Sequence, residues 1–147
     1  MYPRPRSTRP GSALVSSRRA KIPCRLFLPA HAVIERCQDK YALSTFLRAR
    51  GIPAPLTYPL GGRATIDAAF RRLGRRRRLW CRLRTGSGFG GAIPVTRPAQ
   101  VRSWIAYWHE MWGIPAASFT LSEYLPGRDF AVQGIWQRGT CVLLKMC

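Results

Sequence analysis

The sequence predicts an α+β fold, and three patterns indicate it. Apolar residues recur at helical spacing over residues 31–50, 64–73 and 98–112. Residues 79–84 alternate apolar side chains with Trp or Arg, which is typical of a strand with one polar face. Two apolar runs joined by a tight turn near residue 138 indicate a β-hairpin late in the chain. Helices and strands are thus interspersed along one chain.

The first helical segment begins near His31 and breaks near Asp39. We expect Asp39 to cap a second helix that Gly51 ends, because Asp is a favoured N-cap and glycine ends helices. A short strand over Leu56–Leu60 and a helix from about Ala64 to Leu73 follow. The sequence of this first part of the chain therefore predicts two helices, one strand and a third helix, in that order.

The glycine-rich segment lies between two predicted strands, Leu79–Arg84 and Ala92–Val95, and the clearest helix, Pro98–Trp112, follows them. That helix carries tryptophans at i, i+4 and i+8, which predict an aromatic stripe facing the core. These are Trp104, Trp108 and Trp112. The remaining predicted elements are three strands and two turns. They are Ser118–Leu125, Pro126-Gly127, Asp129–Trp136, Arg138-Gly139 and Thr140–Met146.

The charge of the chain is strongly positive: 25 Lys and Arg face 6 Asp and Glu, which gives a net charge of +19. Such a charge predicts affinity for polyanions. Nearly all of it is arginine, which genomic base composition can also produce, so a solvated basic surface and a selected polyanion site are both open interpretations. We expect residues 1–24 to be a disordered basic tail and residues 25–147 to be one domain.

The sequence excludes several classes of protein. No apolar run reaches the length of a membrane span, so we expect no membrane partner and a cytoplasmic location. The five cysteines are odd in number and widely spaced, which argues against a disulfide framework and a zinc site. Cys37, Cys81 and Cys141 lie in apolar patterns and are predicted to be buried.

The first chemical motif is RLRTGSGFGG, Arg82–Gly91. Glycines let backbone N–H groups close around phosphate oxygens, and Arg82 and Arg84 would direct charge at the same oxygens. No GK[ST] follows, so the loop is not a Walker A motif. A strand rather than a helix follows it, so it is not a dinucleotide-binding motif either. A glycine-rich hairpin without a ligand remains the alternative.

Two further motifs complete the candidate site. EYLPGRD, Glu123–Asp129, ends a strand at a Pro-Gly turn with a carboxylate on each side. Strand-edge backbone can read adenine, and a carboxylate can accept hydrogen bonds from two ribose hydroxyls. The alternative is an exposed turn with solubilising acids. The third motif, Asp39-Lys40-Tyr41, opens the helix that ends before Pro53 and is weak by itself.

These three motifs, in this order and at this separation, resemble the ATP-grasp superfamily. The resemblance is to its carbamoyl-phosphate-synthetase-like carboxylate–amine ligase branch and covers about residues 25–147. It implies a partial ATP-grasp fold: a small α/β subdomain and the start of the larger ATP-binding sheet. In the family, a hairpin like that of Arg82–Gly91 covers the ATP phosphates, and a segment like Glu123–Asp129 binds adenine and ribose.

The resemblance also implies a set of ATP-contacting positions. They are Lys40, Arg82, Arg84, Gly86, Ser87, Gly88, Gly91, Glu123, Tyr124, Leu125, Asp129 and Lys145. Arg82 stands where the family usually has a phosphate-contacting lysine, and Asp129 stands for the ribose-binding glutamate. Lys145 would approach the phosphates from a later strand. Phe89 departs from the family pattern, because that position is normally glycine.

The activity that the resemblance implies is ATP-dependent ligation. ATP phosphorylates a small carboxylate, an amine attacks the acylphosphate, and Mg²⁺ screens the phosphates. The family's Mg²⁺ ligands correspond to positions beyond residue 147, so we expect a C-terminally truncated, ATP-binding, ligase-like chain that is impaired in catalysis. No catalytic or metal-binding residue is assigned on this chain.

Two other interpretations belong to different classes. The first is a basic nucleic-acid-binding module that uses the tail and Arg71–Arg78. No RNP-like, zinc-finger or helix-turn-helix pattern supports it, so nucleic acid is not the favoured partner. The second is a non-functional gene fragment, whose last strand would leave an exposed edge.

Overall fold

The computed structural model describes residues 15–24, 28–74, 78–86 and 91–146. Its longer helices are α1 (His31–Gln38), α2 (Lys40–Arg48), α3 (Arg63–Leu73) and α4 (Pro98–Trp112). Its strands are β1 (Thr57–Pro59), β2 (Leu79–Leu83), β3 (Ile93–Val95), β4 (Phe119–Glu123), β5 (Val132–Gln137) and β6 (Thr140–Met146). The helices and strands that the sequence predicts are therefore present, with small differences at their ends.

Part of the predicted N-terminal tail lies in the described residues. Residues 15–17 form a helical turn, and Arg19–Lys21 is a short 3₁₀ helix. The Arg19 guanidinium donates a hydrogen bond to the Leu28 carbonyl over 3.2 Å. Residues 1–14 lie outside the described residues, and the boundary at residue 24 stays a prediction.

The break between α1 and α2 is made by Asp39. Its backbone is extended, with φ −89° and ψ 104°, and one carboxylate oxygen accepts hydrogen bonds from the backbone N–H groups of Tyr41 and Ala42, each at 3.0 Å. This is the N-cap that the sequence predicts, because the side chain satisfies two N–H groups that have no partner within the helix. Lys40 is consequently fixed at the first position of α2.

Four strands form an antiparallel sheet in the order β1-β4-β2-β3. Leu79 pairs with Glu123 at one end of β2, and Leu83 pairs with Phe119 at the other. The two edge strands, β1 and β3, have three residues each, and each contains a proline, Pro59 or Pro94. The long central strands thus lie protected between two short ones.

The hydrophobic core lies between one face of this sheet and helices α3 and α4. Its largest fully buried side chains include Leu73, Leu79, Val95, Phe119 and Leu121. The tryptophan stripe of α4 faces this core, as predicted: Trp108 is buried, and Trp104 and Trp112 pack against the same cluster. None of the helices in the described part of the chain has the length and apolarity that a transmembrane span requires.

The cysteine predictions are confirmed for one residue and wrong for two. Cys81 is buried in β2, and burial raises the pKa of its thiol to about 12. Cys37 and Cys141 are exposed. Cys37 lies on the outward side of the short helix α1. Cys141 belongs to a hairpin whose residues are all exposed, so an apolar neighbourhood in sequence did not produce burial there.

Strands β5 and β6 form a separate two-stranded antiparallel sheet. The connecting residues, Arg138 and Gly139, have φ values of 49° and 83°, as a tight two-residue hairpin turn requires. All residues of both strands are exposed. The predicted hairpin is therefore present, and no described part of the chain covers either of its faces.

Candidate functional site

The face of the four-stranded sheet opposite the core is polar. Side chains alternate along a strand, so Trp80 and Arg82 of β2 share this face with their cross-strand neighbours Ser122 and Thr120 of β4. Ser122 and Thr120 are buried, and their hydroxyl groups donate to the Trp80 and Arg82 carbonyls over 3.4 Å. Trp80 and Arg82 are half-buried, and they are the two large side chains that β2 contributes to this face.

Helix α2 is attached to the end of β2 by a set of hydrogen bonds around Arg84. The Lys40 N–H donates to the Arg84 carbonyl over 3.0 Å, and the Lys40 ammonium donates to the Gly86 carbonyl over 2.8 Å. The Arg84 guanidinium contacts Asp39 through two nitrogens, at 2.8 and 2.7 Å. Both nitrogens contact the same oxygen, Oδ2, and this ion pair raises the pKa of Arg84, mainly through the hydrogen bond to Asp39. The start of the glycine-rich loop is thereby fixed.

Lys40 and Arg82 bring two positive charges together at this end of the sheet. Burial, and then repulsion from Arg82, lower the pKa of Lys40 despite the nearby Asp39. Burial also lowers the pKa of Arg82, which nevertheless stays charged at neutral pH. The Arg82 Nε–H is buried and has no hydrogen-bond partner among the described residues. An anion placed between the two side chains would relieve both the repulsion and the unsatisfied donor.

The glycine-rich loop is described at its two ends. Gly86 has φ +103°, a conformation that favours glycine, and a Cβ added there would meet no described atom within 4 Å. Gly91 has φ +74°, and an added Cβ would lie 2.7 Å from the Leu83 side chain. Its carbonyl accepts a hydrogen bond from the Trp104 indole over 3.1 Å. Gly91 therefore lets the loop backbone pack closely against Leu83 and Trp104, where a larger residue would not fit. The predicted contacts Ser87 and Gly88 lie outside the described residues.

The opposite end of β2 carries an aromatic cluster beside Glu123. The rings of Trp80 and Tyr124 are 5.9 Å apart, and the Arg78 guanidinium lies over the Tyr124 ring at 5.4 Å. The Glu123 carboxylate accepts a hydrogen bond from the Leu56 N–H over 2.7 Å, next to a backbone bond from Glu123 N–H to the Leu56 carbonyl. Glu123 thus extends the pairing of β4 towards residue 56.

The remaining predicted positions lie further from the sheet. Leu125 and Asp129 are exposed in the segment between β4 and β5, and Gly127 takes φ +123° in the predicted turn. Lys145 is exposed on β6, beside Gln133. The structure brings Lys40, Arg82, Arg84 and Gly86 together at one end of β2 and Glu123 with Tyr124 at the other. Leu125 directly follows Tyr124 and is exposed, and Asp129 and Lys145 make no printed contact with the residues of either group.

The structure adds two residues that the sequence motifs did not assign to the site. Trp80 lies two residues before Arg82, so strand alternation alone could have placed both on one face. Asp39 was predicted as a helix cap, but its ion pair with Arg84, 45 residues away, has no local sequence signal. No group of three His, Cys, Asp or Glu that could hold a metal ion occurs among the described residues.

The ion pair between Asp39 and Arg84 predicts a pH-dependent contribution to stability. Burial raises the pKa of Asp39, but the hydrogen bonds and charge of Arg84, with the two backbone N–H groups, lower it below the ordinary value of 3.8. A carboxyl group with a lowered folded-state pKa stabilises the fold above its unfolded pKa and loses that contribution as the pH falls through its folded pKa. We expect Asp39→Asn, which keeps a capping oxygen, to cost about 1 kcal/mol at pH 7 and much less at a pH well below 3.8, where the pH has fallen through the lowered folded-state pKa of Asp39.

Urea unfolding followed by tryptophan fluorescence at both pH values measures this difference. Asp67→Asn is the matched control, because Asp67 contacts Arg102 in a looser pair at 3.4 Å near the surface. An equal loss of stability for Asp39→Asn at both pH values would contradict a charge-dependent role of the pair.

Several solved structures share this fold. The match to D-alanyl-alanine synthetase A from Vibrio cholerae covers 82% of this chain and 37% of the synthetase chain, with a TM-score of 0.61 and 15% sequence identity. A second match is to carboxyaminoimidazole ribonucleotide synthase from Aspergillus clavatus, solved in complex with ATP. It covers 91% of this chain and 37% of the synthase chain, with a TM-score of 0.60 and 14% sequence identity. The match to the D-alanine-D-alanine ligase from Coxiella burnetii covers 80% of this chain and 33% of the ligase chain, with a TM-score of 0.55 and 18% sequence identity. No family model and no curated protein sequence matches the chain.

These likenesses confirm the predicted fold. The matched proteins are ATP-grasp carboxylate–amine ligases, and the chain spans about a third of their length. The described residues therefore form part of an ATP-grasp fold. The nucleic-acid alternative stays a prediction, since residues 1–14 and 75–77, on which it draws, lie outside the described residues.

Proposed function

We propose that the chain binds ATP along the polar face of the four-stranded sheet. One observation carries this proposal. Because β2 and β4 are antiparallel, the loop after Leu83 and the turn after Glu123 lie at opposite ends of the same five-residue strand. That strand spans about 14 Å, comparable to an extended nucleoside triphosphate. Trp80 and Arg82 lie between the two ends on one face.

The phosphate end supports the proposal through its charges. The Arg82 Nε–H is a buried donor that no described residue satisfies, and Lys40 lies close enough for their charges to repel. Charge-assisted hydrogen bonds to phosphate oxygens are among the stronger polar contacts in proteins. Arg84 is already paired with Asp39, so in this proposal it positions Lys40 and the loop. The backbone of Gly86 would approach the same oxygens.

The aromatic end supports the position of the base. A nucleobase can stack on an aromatic side chain, with a gain of about 1–3 kcal/mol per base. Trp80 lies on the same face as Arg82, and Tyr124 lies next to it. Because Leu56 already occupies one oxygen of Glu123, backbone groups of residues 124–125 would read the edge of the base. Asp129 and Lys145 remain predicted contacts of the ribose and the phosphates.

The comparisons support ATP as the nucleotide, since one matched structure, the carboxyaminoimidazole ribonucleotide synthase, is a complex with ATP. The proposal concerns binding and not turnover. Metal-assisted transfer of a phosphoryl group to a carboxylate needs carboxylate ligands for the metal, and the described residues hold no such cluster. A ligase-like origin with small carboxylate and amine substrates is part of the same proposal. Mg²⁺ would have to be held by the phosphates and by groups outside the described residues.

Calorimetric titration with ATP and with inorganic tripolyphosphate tests the two ends separately. We expect the full chain to bind both. Trp80→Ala should weaken ATP binding about tenfold, through lost stacking, and leave tripolyphosphate binding unchanged. Tyr107→Ala is the control, because Tyr107 is an exposed aromatic residue of α4 on the far side of the sheet.

Failure of both ligands to bind would overturn the proposed function. Equal weakening of both ligands by Trp80→Ala would show that Trp80 acts through the fold and does not contact a base. Equal ATP and tripolyphosphate affinities in the unaltered chain would reduce the site to a general anion site.

A further inference from the structure

The glycine-rich loop is held at both of its described ends by side chains from two different helices. At its start, the Lys40 ammonium of α2 donates to the Gly86 carbonyl over 2.8 Å. At its end, the Trp104 indole of α4 donates to the Gly91 carbonyl over 3.1 Å. A carbonyl oxygen repels a phosphate, whereas a backbone N–H attracts it. Each helix therefore engages one carbonyl of the loop with a donor of the protein itself.

The contact with Trp104 sets the direction of one peptide unit. The peptide between Gly91 and Ala92 is planar and trans, so its N–H points in the direction opposite to its carbonyl. The carbonyl points towards α4, which packs on the core face of the sheet. The Ala92 N–H consequently points away from α4, and Arg82 lies on the face of the sheet opposite α4.

The surroundings hold both partners of this hydrogen bond in place. Gly91 is buried at φ +74°, in close contact with Leu83, so the loop backbone has little room to shift there. The Trp104 ring meets the Trp108 ring edge-on, with centroids 5.8 Å apart. Trp104 also borders an open groove of about 400 Å³ between β3 and α4. Its ring is therefore only partly enclosed, and its hydrogen bond to the loop distinguishes it from a core residue such as Trp108.

We propose that Trp104 is a positioning residue for phosphate binding, an inference that rests on the proposed function. Its indole holds the Gly91 carbonyl away from the phosphates and so directs the Ala92 N–H towards them. Trp104 does not itself contact the nucleotide, because α4 and Arg82 lie on opposite sides of the sheet. The end of the loop is thereby ordered before an anion arrives, which lowers the entropic cost of binding.

Trp104→Phe tests this inference in calorimetric titrations with ATP and with tripolyphosphate. The variant keeps an aromatic ring on α4 but removes the donor. The affinities for both ligands fall by the same factor, about tenfold, because the weakened contact is to phosphate alone. Trp80→Ala, by contrast, weakens only ATP. Trp112→Phe is the matched control, since Trp112 packs against the same core cluster about 12 Å further along α4. It leaves both affinities unchanged.

The indole N–H resonances provide a readout that a packing role alone would not move. The chain has five tryptophans, so the unaltered chain gives five indole cross-peaks in a ¹H–¹⁵N spectrum. An anion on the Ala92 N–H polarises the whole peptide unit and makes its carbonyl a stronger acceptor. Tripolyphosphate therefore shifts the Trp104 indole resonance and leaves that of Trp112 in place. This measurement does not depend on the folding of any variant.

Urea unfolding of Trp104→Phe and Trp112→Phe checks that both variants are folded under the conditions of the titrations. Unchanged affinities in Trp104→Phe, equal weakening by the two variants, or a Trp104 resonance that tripolyphosphate does not move would each overturn the inference. In those three cases, binding of ATP by the unaltered chain leaves the proposed function standing. If the unaltered chain bound neither ligand, the proposed function would fail, and the role of Trp104 would fail with it.

Discussion

Replacing Arg82 with alanine is expected to raise the dissociation constant for ATP by about a hundredfold. Arg82 is half-buried on the polar face, and its Nε–H has no partner among the described residues. Loss of charge-assisted hydrogen bonds to phosphate from such a position costs about 1.5–3 kcal/mol, and each 1.4 kcal/mol changes affinity about tenfold. Tripolyphosphate binding should fall by the same factor, because the lost contacts involve only phosphate. Calorimetry of the two ligands measures both effects.

Two variants distinguish a specific phosphate contact from general electrostatic attraction. Arg82→Lys keeps the charge and supplies the residue that the resemblance predicts here, so it should retain most of the affinity. Arg71→Ala removes an equal charge from the exposed surface of α3 and should have little effect. If Arg82→Ala and Arg71→Ala weakened binding by the same small factor, ATP would be attracted by net charge alone, and the assigned site would be wrong.

Phe119→Ala is expected to have the largest effect on stability, about 3–5 kcal/mol. Phe119 is 0% exposed at the start of the central strand β4, and its ring packs edge-on against Trp108 at 6.3 Å. Truncation leaves a cavity between the sheet and α4 that the surrounding side chains can fill only in part. Such a loss is a large fraction of the 5–15 kcal/mol that typically stabilises a domain. Urea unfolding followed by circular dichroism measures it.

Phe130→Ala provides the matched control for that prediction. Phe130 is 62% exposed between β4 and β5, so the same truncation should change the free energy of unfolding by less than about 0.5 kcal/mol. A loss below about 1 kcal/mol for Phe119→Ala would indicate that the packing of α4 on β4 contributes little to stability.

Helix and strand ends were predictable where a residue with a strong conformational preference marks them. The bounds of α4 match the sequence prediction because Pro98 can begin a helix and Gly113, at φ +67°, ends it. The bounds of β6 match because the turn at Arg138-Gly139 fixes its start. The segment between β4 and β5 was harder. Both strands were predicted to extend further into it, since nothing but Pro126-Gly127 marks a boundary there.

The site was predictable only in its parts. The motifs identified the glycine-rich loop and the turn after Glu123, but the strand order β1-β4-β2-β3 sets their relative positions. Two contacts that shape the site join distant residues: Asp39 with Arg84, and Glu123 with Leu56, which are 67 residues apart. Such pairings depend on tertiary packing, and periodicity carries no information about them. The same limit explains the exposure of Cys141, because no described part of the chain covers its apolar neighbours.

The two short edge strands, β1 and β3, affect the tendency of the four-stranded sheet to aggregate at high protein concentration. Fibril growth needs an open strand edge on which identical segments stack one after another. Pro59 and Pro94 each remove a backbone donor from an edge of the four-stranded sheet, and strands of three residues offer little length for templating. The four-stranded sheet is thereby guarded against stacking into fibrils. Among the described strands, β5 and β6 have no such protection, because all their residues are exposed in a two-stranded sheet.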